Sequence, residues 1–206
     1  AAELSRRREL AALVALRHDA RTSAWSLAAP QVVDHGTLGE QAWSIETLVE
    51  GRAGGTALAD GLSPDRLLAS GGGLVLGLHR ATAELATVDE RLLQVWVDEP
   101  AAVVAGTCPE ASGGLDELSR TLRGVFAGRT VTVAWTHGDV SPANLVVGSS
   151  DEAVGIVDWE AARLERLPEV DLVGLIAAVR AQIRTEELGE VVLALLHRPW
   201  TEDEIG

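Results

Sequence analysis

Three short apolar runs of β type lie close together late in the chain, separated only by polar loops. They cover residues 131–135, 145–147 and 153–157, and apolar patterns with helical spacing precede and follow them. We therefore predict an α+β fold in which one cluster of short strands interrupts a mostly helical body. The loops at the strand ends are where functional side chains are expected to converge.

The chain before this cluster begins with a small N-terminal part, which we assign to residues 1–50. An amphipathic helix is predicted over residues 3–17. Two β-rich runs follow, at residues 31–35 and 42–49, and the glycine-containing turn between them predicts a hairpin. We interpret this part as the remnant of a smaller lobe.

Residues 51–206 are assigned to the larger, helical part, and Gly51 to Gly55 at its start is interpreted as a flexible hinge. Ser63 followed by a proline predicts the start of a helix whose apolar spacing continues past Trp96. The glycines at 71–73 lie within this helix. Because no Walker lysine follows them, they indicate a close contact with another helix or a break between two helices.

Charge and cysteine content narrow the class of partner. The 206 residues include 17 basic and 31 acidic ones, which gives a formal net charge of −14. This charge repels phosphate backbones and anionic lipids, so we expect neither nucleic acid nor a membrane as partner. An acidic surface suits a cationic small molecule, although solubility alone also explains it. The single cysteine, Cys108, favours a reducing compartment, and we predict a cytoplasmic protein.

One histidine, two aspartates and one asparagine lie at the ends of the short strands. His137 and Asp139 follow the first strand, Asn144 precedes the second, and Asp158 follows the third. Phosphoryl transfer suits such a grouping, because the protein mainly positions the reactants and stabilises charge. One carboxylate orients and deprotonates the acceptor hydroxyl, while carboxylate and amide oxygens hold Mg²⁺.

The stretch from His137 through Asp139 to Asn144, followed by Asp158 and Glu160, resembles the catalytic and metal-binding signatures of the aminoglycoside phosphotransferase and choline kinase superfamily. The resemblance implies a protein-kinase-like fold of the aminoglycoside phosphotransferase type. It also implies transfer of the γ-phosphoryl group of ATP, with GTP as an alternative, to a hydroxyl of a small molecule. By this resemblance Asp139 is the catalytic base, and Asn144 and Asp158 are the Mg²⁺ ligands.

Upstream segments resemble the same family more weakly. Residues 43–51 resemble the last small-lobe strand and hinge of the family. The resemblance implies that backbone groups near Glu46, Thr47 and Leu48 bind the adenine edge of the nucleotide. The first helix resembles the small-lobe helix whose glutamate pairs with an ATP-binding lysine, and Glu9 is the candidate for that glutamate.

Two further residues are assigned to structural support by the same resemblance. Asp171 matches the aspartate that holds the catalytic loop in shape, and His137 is expected to brace the loop rather than react. His79 ends a helix in a pattern seen in many members of the family. We interpret His79 as a residue packed against the core.

Every basic residue of the chain is an arginine, so the ATP-binding lysine of the family has no counterpart here. One interpretation is that the missing N-terminal lobe lies on the same, longer polypeptide. The alternative is a non-catalytic, pseudokinase-like module that binds a ligand or a partner. A metal-dependent hydrolase is a third hypothesis, but such sites generally use more histidine and carboxylate ligands than this cluster offers.

The acceptor is not identified by these motifs, and only charge points to its class. Four acidic residues near the expected acceptor side were considered as contacts for a cation: Asp98, Glu99, Glu165 and Glu169. This remains a hypothesis from charge alone.

Overall fold

The computed structural model describes residues 2–39 and 41–197. The helices of this part are α1 (Ala2–His18), α2 (Gly54–Ala59), α3 (Pro64–Thr82), α4 (Glu90–Leu93), α5 (Glu99–Thr107), α6 (Ser112–Phe126), α7 (Glu169–Arg184) and α8 (Leu188–His197). The strands are β1 (Val32–Leu38), β2 (Gln41–Glu46), β3 (Arg52–Ala53), β4 (Glu84–Thr87), β5 (Thr130–Thr136), β6 (Leu145–Val147), β7 (Ala153–Ile156) and β8 (Arg163–Arg166). The predicted α+β class is confirmed. Among the described helices, none has the length and apolar character needed to cross a membrane.

The strands form three small antiparallel sheets, with the orders β1–β2, β3–β6–β7 and β4–β5–β8. The hairpin and the three strands of the late cluster lie where the sequence predicted them. Strands β3, β4 and β8 were not predicted, because they are two to four residues long and rich in polar residues. Their pairing partners are distant in sequence, so no local alternation indicates them.

Helix α3 begins after Ser63 as predicted, but the predicted continuation past Trp96 is wrong. The helix ends at Thr82, and residues 84–87 pair with β5 as strand β4. Leu85 continues the helical spacing, yet it is 76% exposed on β4. A new helix, α4, then begins after its N-cap residue Asp89, whose Oδ1 accepts the Leu92 N–H at 2.9 Å. Pairing with β5 therefore overrides the apolar period.

Gly71 lets α3 lie close to its neighbours, and the closest of these is strand β6 rather than another helix. A Cβ on Gly71 would lie 2.6 Å from Cδ1 of Leu145 on β6 and 3.5 Å from Cδ2 of Leu175 on α7. Leu145 and Leu175 are both buried in the main core. The absence of a side chain at Gly71 thus lets α3 support β6, the strand that follows the polar loop.

The segment predicted to be a hinge is tied to the same loop. Arg52 and Ala53 pair with β6, and the Gly55 N–H donates to the carbonyl of Pro142 at 2.8 Å. Gly54 is buried, and a Cβ there would lie 2.9 Å from the Pro142 carbonyl oxygen. The start of α2 is therefore packed directly on the loop, and its role as a hinge stays a prediction.

Candidate active site

Asp171 on α7 holds the start of the polar loop through two hydrogen bonds and contacts α3 through a third. Its Oδ2 accepts the backbone N–H of His137 at 2.9 Å, and its Oδ1 accepts that of Gly138 at 2.8 Å. Oδ2 also lies 3.0 Å from Nε2 of His79, which is buried at the end of α3. The loop is thus anchored to two helices through one buried carboxylate.

His79 is the partner that sequence reasoning missed, since it was interpreted only as a core residue. The structure does bury it, but its ring nitrogen contacts Asp171 rather than only apolar neighbours. The signal was the resemblance of residues 76–79 to a helix end that is found in many members of the family. The two residues are 92 positions apart, so no local pattern joins them.

His137 is fully buried inside the loop and makes contacts with both of its ring nitrogens. Nε2 lies 3.0 Å from the carbonyl of Val157, and Nδ1 accepts the Asp139 N–H at 3.3 Å. A carbonyl only accepts, so Nε2 carries the proton and Nδ1 does not. Burial lowers the pKa of His137, which favours this neutral form. The ring also packs edge-on against Trp159, with 4.7 Å between centroids.

Gly138 occupies a backbone conformation that few residues tolerate. Its φ is +83°, and a Cβ there would lie 2.5 Å from the Ala161 carbonyl oxygen. That oxygen belongs to the turn after Asp158, so the two polar loops touch at this glycine. Glycine is therefore required for both its dihedral angle and its lack of a side chain.

We expect Gly138→Ala to destabilise the protein by about 2–4 kcal/mol, because strain at positive φ and a backbone clash add. Gly128→Ala is the matched control, since Gly128 has φ +71° and open space around it. Gly128→Ala should lower the free energy of unfolding by only about 1 kcal/mol. Urea unfolding of both variants measures their free energies of unfolding. Equal losses in the two variants would show that the contact with the Ala161 carbonyl does not add to the destabilisation.

Asp139 and Asn144 are joined across the loop. The Asn144 side-chain amide donates from Nδ2 to the Asp139 backbone carbonyl at 2.9 Å and to Asp139 Oδ2 at 3.1 Å. Asn144 is buried, whereas Asp139 is exposed. One carboxylate oxygen is thus fixed by the protein while the group as a whole faces solvent.

Asp158 follows β7 and has a left-handed backbone, with φ and ψ both 68°. Adjacent strands bring it towards Asn144, because the Val157 N–H donates to the Asn144 carbonyl at 2.9 Å. Partial burial raises the pKa of Asp158, and the negative charges of Glu160 and Asp139 raise it further. Three carboxylates, those of Asp139, Asp158 and Glu160, are therefore close enough for their charges to interact.

Glu9 on α1 reaches the same place from the N-terminal part of the chain. Its Oε1 accepts the Trp159 N–H at 3.3 Å. Burial raises the pKa of Glu9, and the negative charges of Glu46 and Asp158 act in the same direction. The structure thus brings Glu9 beside the turn that carries Asp158, with no lysine anywhere in the chain to pair with it.

The segment predicted to contact adenine is partly occupied by the protein's own hydrogen bonds. The Thr47 N–H donates to the Gln31 carbonyl at 2.9 Å, and the Thr47 hydroxyl accepts the Gln31 N–H at 2.9 Å. Glu46 ends β2 and accepts a hydrogen bond from Ser44 through its side chain. Leu48 is 85% exposed, and within the described chain its backbone has no hydrogen-bond partner. Leu48 is therefore the residue of this segment whose backbone groups remain open.

Two of the four acidic residues considered for a cationic acceptor are already paired with arginines. Asp98 Oδ2 lies 2.6 Å from Arg123, and Glu165 Oε1 lies 3.0 Å from Arg91. Glu99 and Glu169 are exposed. The charge available to a cation in this region is therefore smaller than the sequence indicated.

Donor chemistry at the site suits Mg²⁺ more than a transition metal. Within residues 2–39 and 41–197, no three His, Cys, Asp or Glu side chains are grouped closely enough to hold a metal alone. The converging donors are carboxylate and amide oxygens, and Mg²⁺ is usually bound by one or two carboxylates together with substrate phosphates and water. Mutual repulsion of Asp158, Glu160 and Asp139 is what a cation would relieve.

A small hairpin and helix, a helical body, and two facing polar loops define a protein-kinase-like fold of the kind found in small-molecule phosphotransferases. The sequence profile of the phosphotransferase enzyme family, APH, matches residues 1–204. The chain therefore belongs to this family. A comparison with curated protein sequences found no significant match.

Solved aminoglycoside phosphotransferases share the fold at low sequence identity. APH(3″)-Id of Streptomyces rimosus, solved with ADP and streptomycin, is 18% identical with a TM-score of 0.59, and the match covers 94% of this chain and 78% of that one. APH(2″)-IIa with gentamicin is 14% identical with a TM-score of 0.56, over 92% and 69% of the two chains. An aminoglycoside-3′-phosphotransferase of type VIII is 20% identical with a TM-score of 0.55, over 99% and 78%. These likenesses confirm the kinase-like fold.

Proposed function

We propose that this chain carries the catalytic and metal-binding loops of an ATP-dependent phosphotransferase that phosphorylates a hydroxyl of a small molecule. The observation that carries the proposal is the joint placement of Asp139, Asn144 and Asp158 on two loops in contact at Gly138. Membership of the phosphotransferase enzyme family supports the same reaction class. GTP remains an alternative nucleotide, since relatives of this fold have been solved with ADP, ATP or GDP.

Asp139 is proposed as the residue that orients and deprotonates the acceptor hydroxyl. Its exposure and its bond to Asn144 support this role, because a general base needs a fixed orientation and access to substrate. Asp171 and His137 are proposed to hold the loop in shape through the contacts described above. In this proposal neither residue touches the reacting atoms.

Asn144 and Asp158 are proposed to hold Mg²⁺ against the nucleotide phosphates. Bound Mg²⁺ would neutralise charge that develops on the phosphates during transfer. The oxygen donors and the excess negative charge at Asp158 support this assignment. Leu48, Thr47 and Glu46 are proposed to line the adenine end, with the open Leu48 backbone as the main contact.

Glu9 is proposed to steady the Asp158 turn from α1, through its bond to the Trp159 N–H. In the wider family this position pairs with a lysine, which we propose lies in a lobe on the same, longer polypeptide. The acceptor is proposed to be a cationic small molecule, because structural relatives have been solved with streptomycin and gentamicin.

Titration of the chain with ATP, with and without Mg²⁺, tests the nucleotide site directly. We expect Mg²⁺-dependent binding, followed by acceptor-dependent formation of ADP in a panel of aminoglycosides. Asp139→Asn should leave nucleotide affinity within about twofold, yet lower transfer by about 10²–10⁴-fold. Asp116→Asn, on the exposed face of α6, is the matched control and should leave both unchanged.

The pseudokinase-like binding module is the second candidate, favoured by the absence of lysine. It predicts that a ligand is bound without transfer of phosphate. No binding of ATP in the presence of Mg²⁺, by this chain or by a longer polypeptide containing it, would contradict the phosphotransferase proposal and favour this module.

A further inference from the structure

Strand β8 contains a β-bulge that places two arginines on one face. Ala134 of β5 pairs with Arg166, and Thr136 pairs with Arg163, so two steps along β5 match three along β8. The extra residue falls next to Glu165, whose φ is +54°. Because the two β5 residues lie on one face of their strand, the arginines opposite them share a face of β8.

A third arginine approaches this pair from α1, which packs against residues 159–161. The pKa of Arg163 is lowered by burial, and the positive charges of Arg166 and Arg8 lower it further. The charges of Arg8 on α1 and Arg166 on β8 thus both act on Arg163, which is hydrogen-bonded to the turn that follows Asp158. We call Arg8, Arg163 and Arg166 the arginine cluster.

No acidic side chain in the described part of the chain forms an ion pair with the arginine cluster. Arginines with such pairs elsewhere in the described chain include Arg7, Arg21, Arg52, Arg91 and Arg123. Like charges held together without a counter-charge destabilise the folded state, so an anion bound between them would stabilise it.

The cluster also keeps hydrogen-bond donors unused. Among the described residues, Arg163 donates only from Nη1, to the carbonyls of Glu160 at 3.1 Å and Ala162 at 2.6 Å. Nε of Arg166 is buried and has no hydrogen-bond partner among the described residues. Buried donors are nearly always paired in native proteins. Planar guanidinium groups match the oxygens of phosphate better than any other side chain does.

We propose that the arginine cluster binds a phosphate-type oxyanion, either free phosphate or a phosphate group carried by a small molecule. The site lies outside the proposed catalytic and metal-binding residues and takes its donors from α1 and β8. Because Arg163 also bonds the carbonyls of Glu160 and Ala162, the bound anion would be linked to the turn after Asp158.

Titration of the full chain with inorganic phosphate tests this site, in low salt, with EDTA and without nucleotide. We expect saturable binding that is weakened at least about tenfold in Arg163→Gln and in Arg166→Gln, since each variant loses a charge-assisted hydrogen bond. Arg120→Gln removes an exposed arginine of α6 and should bind like the wild type. Absence of binding by the wild type, or equal affinity in all variants, would overturn the proposal.

Arg8→Gln keeps the test informative if the partly buried arginines are needed for folding, because Arg8 is exposed. It should weaken phosphate binding without lowering the melting temperature measured by circular dichroism, since it removes one of the like charges. Unaltered phosphate binding would show that Arg8 is not part of the site and would contradict a site shared by α1 and β8. Glycerol phosphate then distinguishes the two sources. Tighter binding than inorganic phosphate identifies a small-molecule ester, and equal binding identifies free phosphate. Neither result depends on Mg²⁺ or ATP, so this site is tested separately from the proposed function.

Discussion

Asp158→Asn is expected to abolish Mg²⁺-dependent ATP binding while making the nucleotide-free protein more stable. Loss of a carboxylate ligand should weaken Mg²⁺-dependent affinity at least about a hundredfold, roughly 3 kcal/mol. Stability should rise because the negative charges of Glu160 and Asp139 no longer face a third one. Asparagine is the suitable replacement, since it tolerates the left-handed backbone at φ 68°.

The gain in stability has a defined pH dependence. The pKa of Asp158 is raised in the folded protein, so between the unfolded and folded values the folded state binds more protons. Stability of the wild type therefore falls as pH rises through that interval. The advantage of Asp158→Asn should be complete at neutral pH and should vanish as pH falls towards the ordinary carboxyl value of 3.8.

Thermal melts with and without Mg²⁺ and ATP, over a range of pH, measure both effects. Asp151→Asn is the matched control, because Asp151 is also an aspartate with positive φ, 59°, but lies in the β6–β7 turn. It loses an exposed ion pair with Arg52 and should be slightly less stable, with nucleotide binding unchanged. If Asp158→Asn still binds ATP with the same Mg²⁺ dependence, Asp158 is not a metal ligand.

Asp171→Ala is expected to lower the free energy of unfolding by about 3–5 kcal/mol. The substitution leaves the N–H groups of His137 and Gly138 and the ring nitrogen of His79 without their acceptor. All of these lie at or near the buried junction of α3, α7 and the loop. Since a domain is stable by about 5–15 kcal/mol, this is a large share of the total.

Urea unfolding followed by tryptophan fluorescence measures this loss. Glu169→Ala is the control, because Glu169 shares the first turn of α7 but is exposed. It removes the same favourable charge from the helix N-terminus and should cost at most about 1 kcal/mol. Asp171→Asn keeps one acceptor oxygen and should fall between the two. Equal losses for Asp171→Ala and Glu169→Ala would show that the loop does not depend on the Asp171 bonds.

Local patterns in the sequence were enough to identify the class of fold and the two polar loops. The residues from His137 to Asn144 are joined by contacts within one short segment, as in the bonds between Asn144 and Asp139. Strand and turn chemistry over such distances is encoded locally, so the cluster of short strands was predicted correctly. The roles of Glu9, Asp139, Asn144 and Asp158 remain predictions that the experiments above address.

Contacts between distant segments decided the rest. Leu85 fits a helical period as well as any residue of α3, but pairing of residues 84–87 with β5 makes it part of a strand. The hydrogen bond between His79 and Asp171 forms only when α3 packs against α7. The bulge that places Arg163 and Arg166 on one face likewise forms only when β8 pairs with β5. The spacing of apolar residues indicates which helices and strands a segment can form. Burial and hydrogen bonding in the folded chain determine which of these it does form.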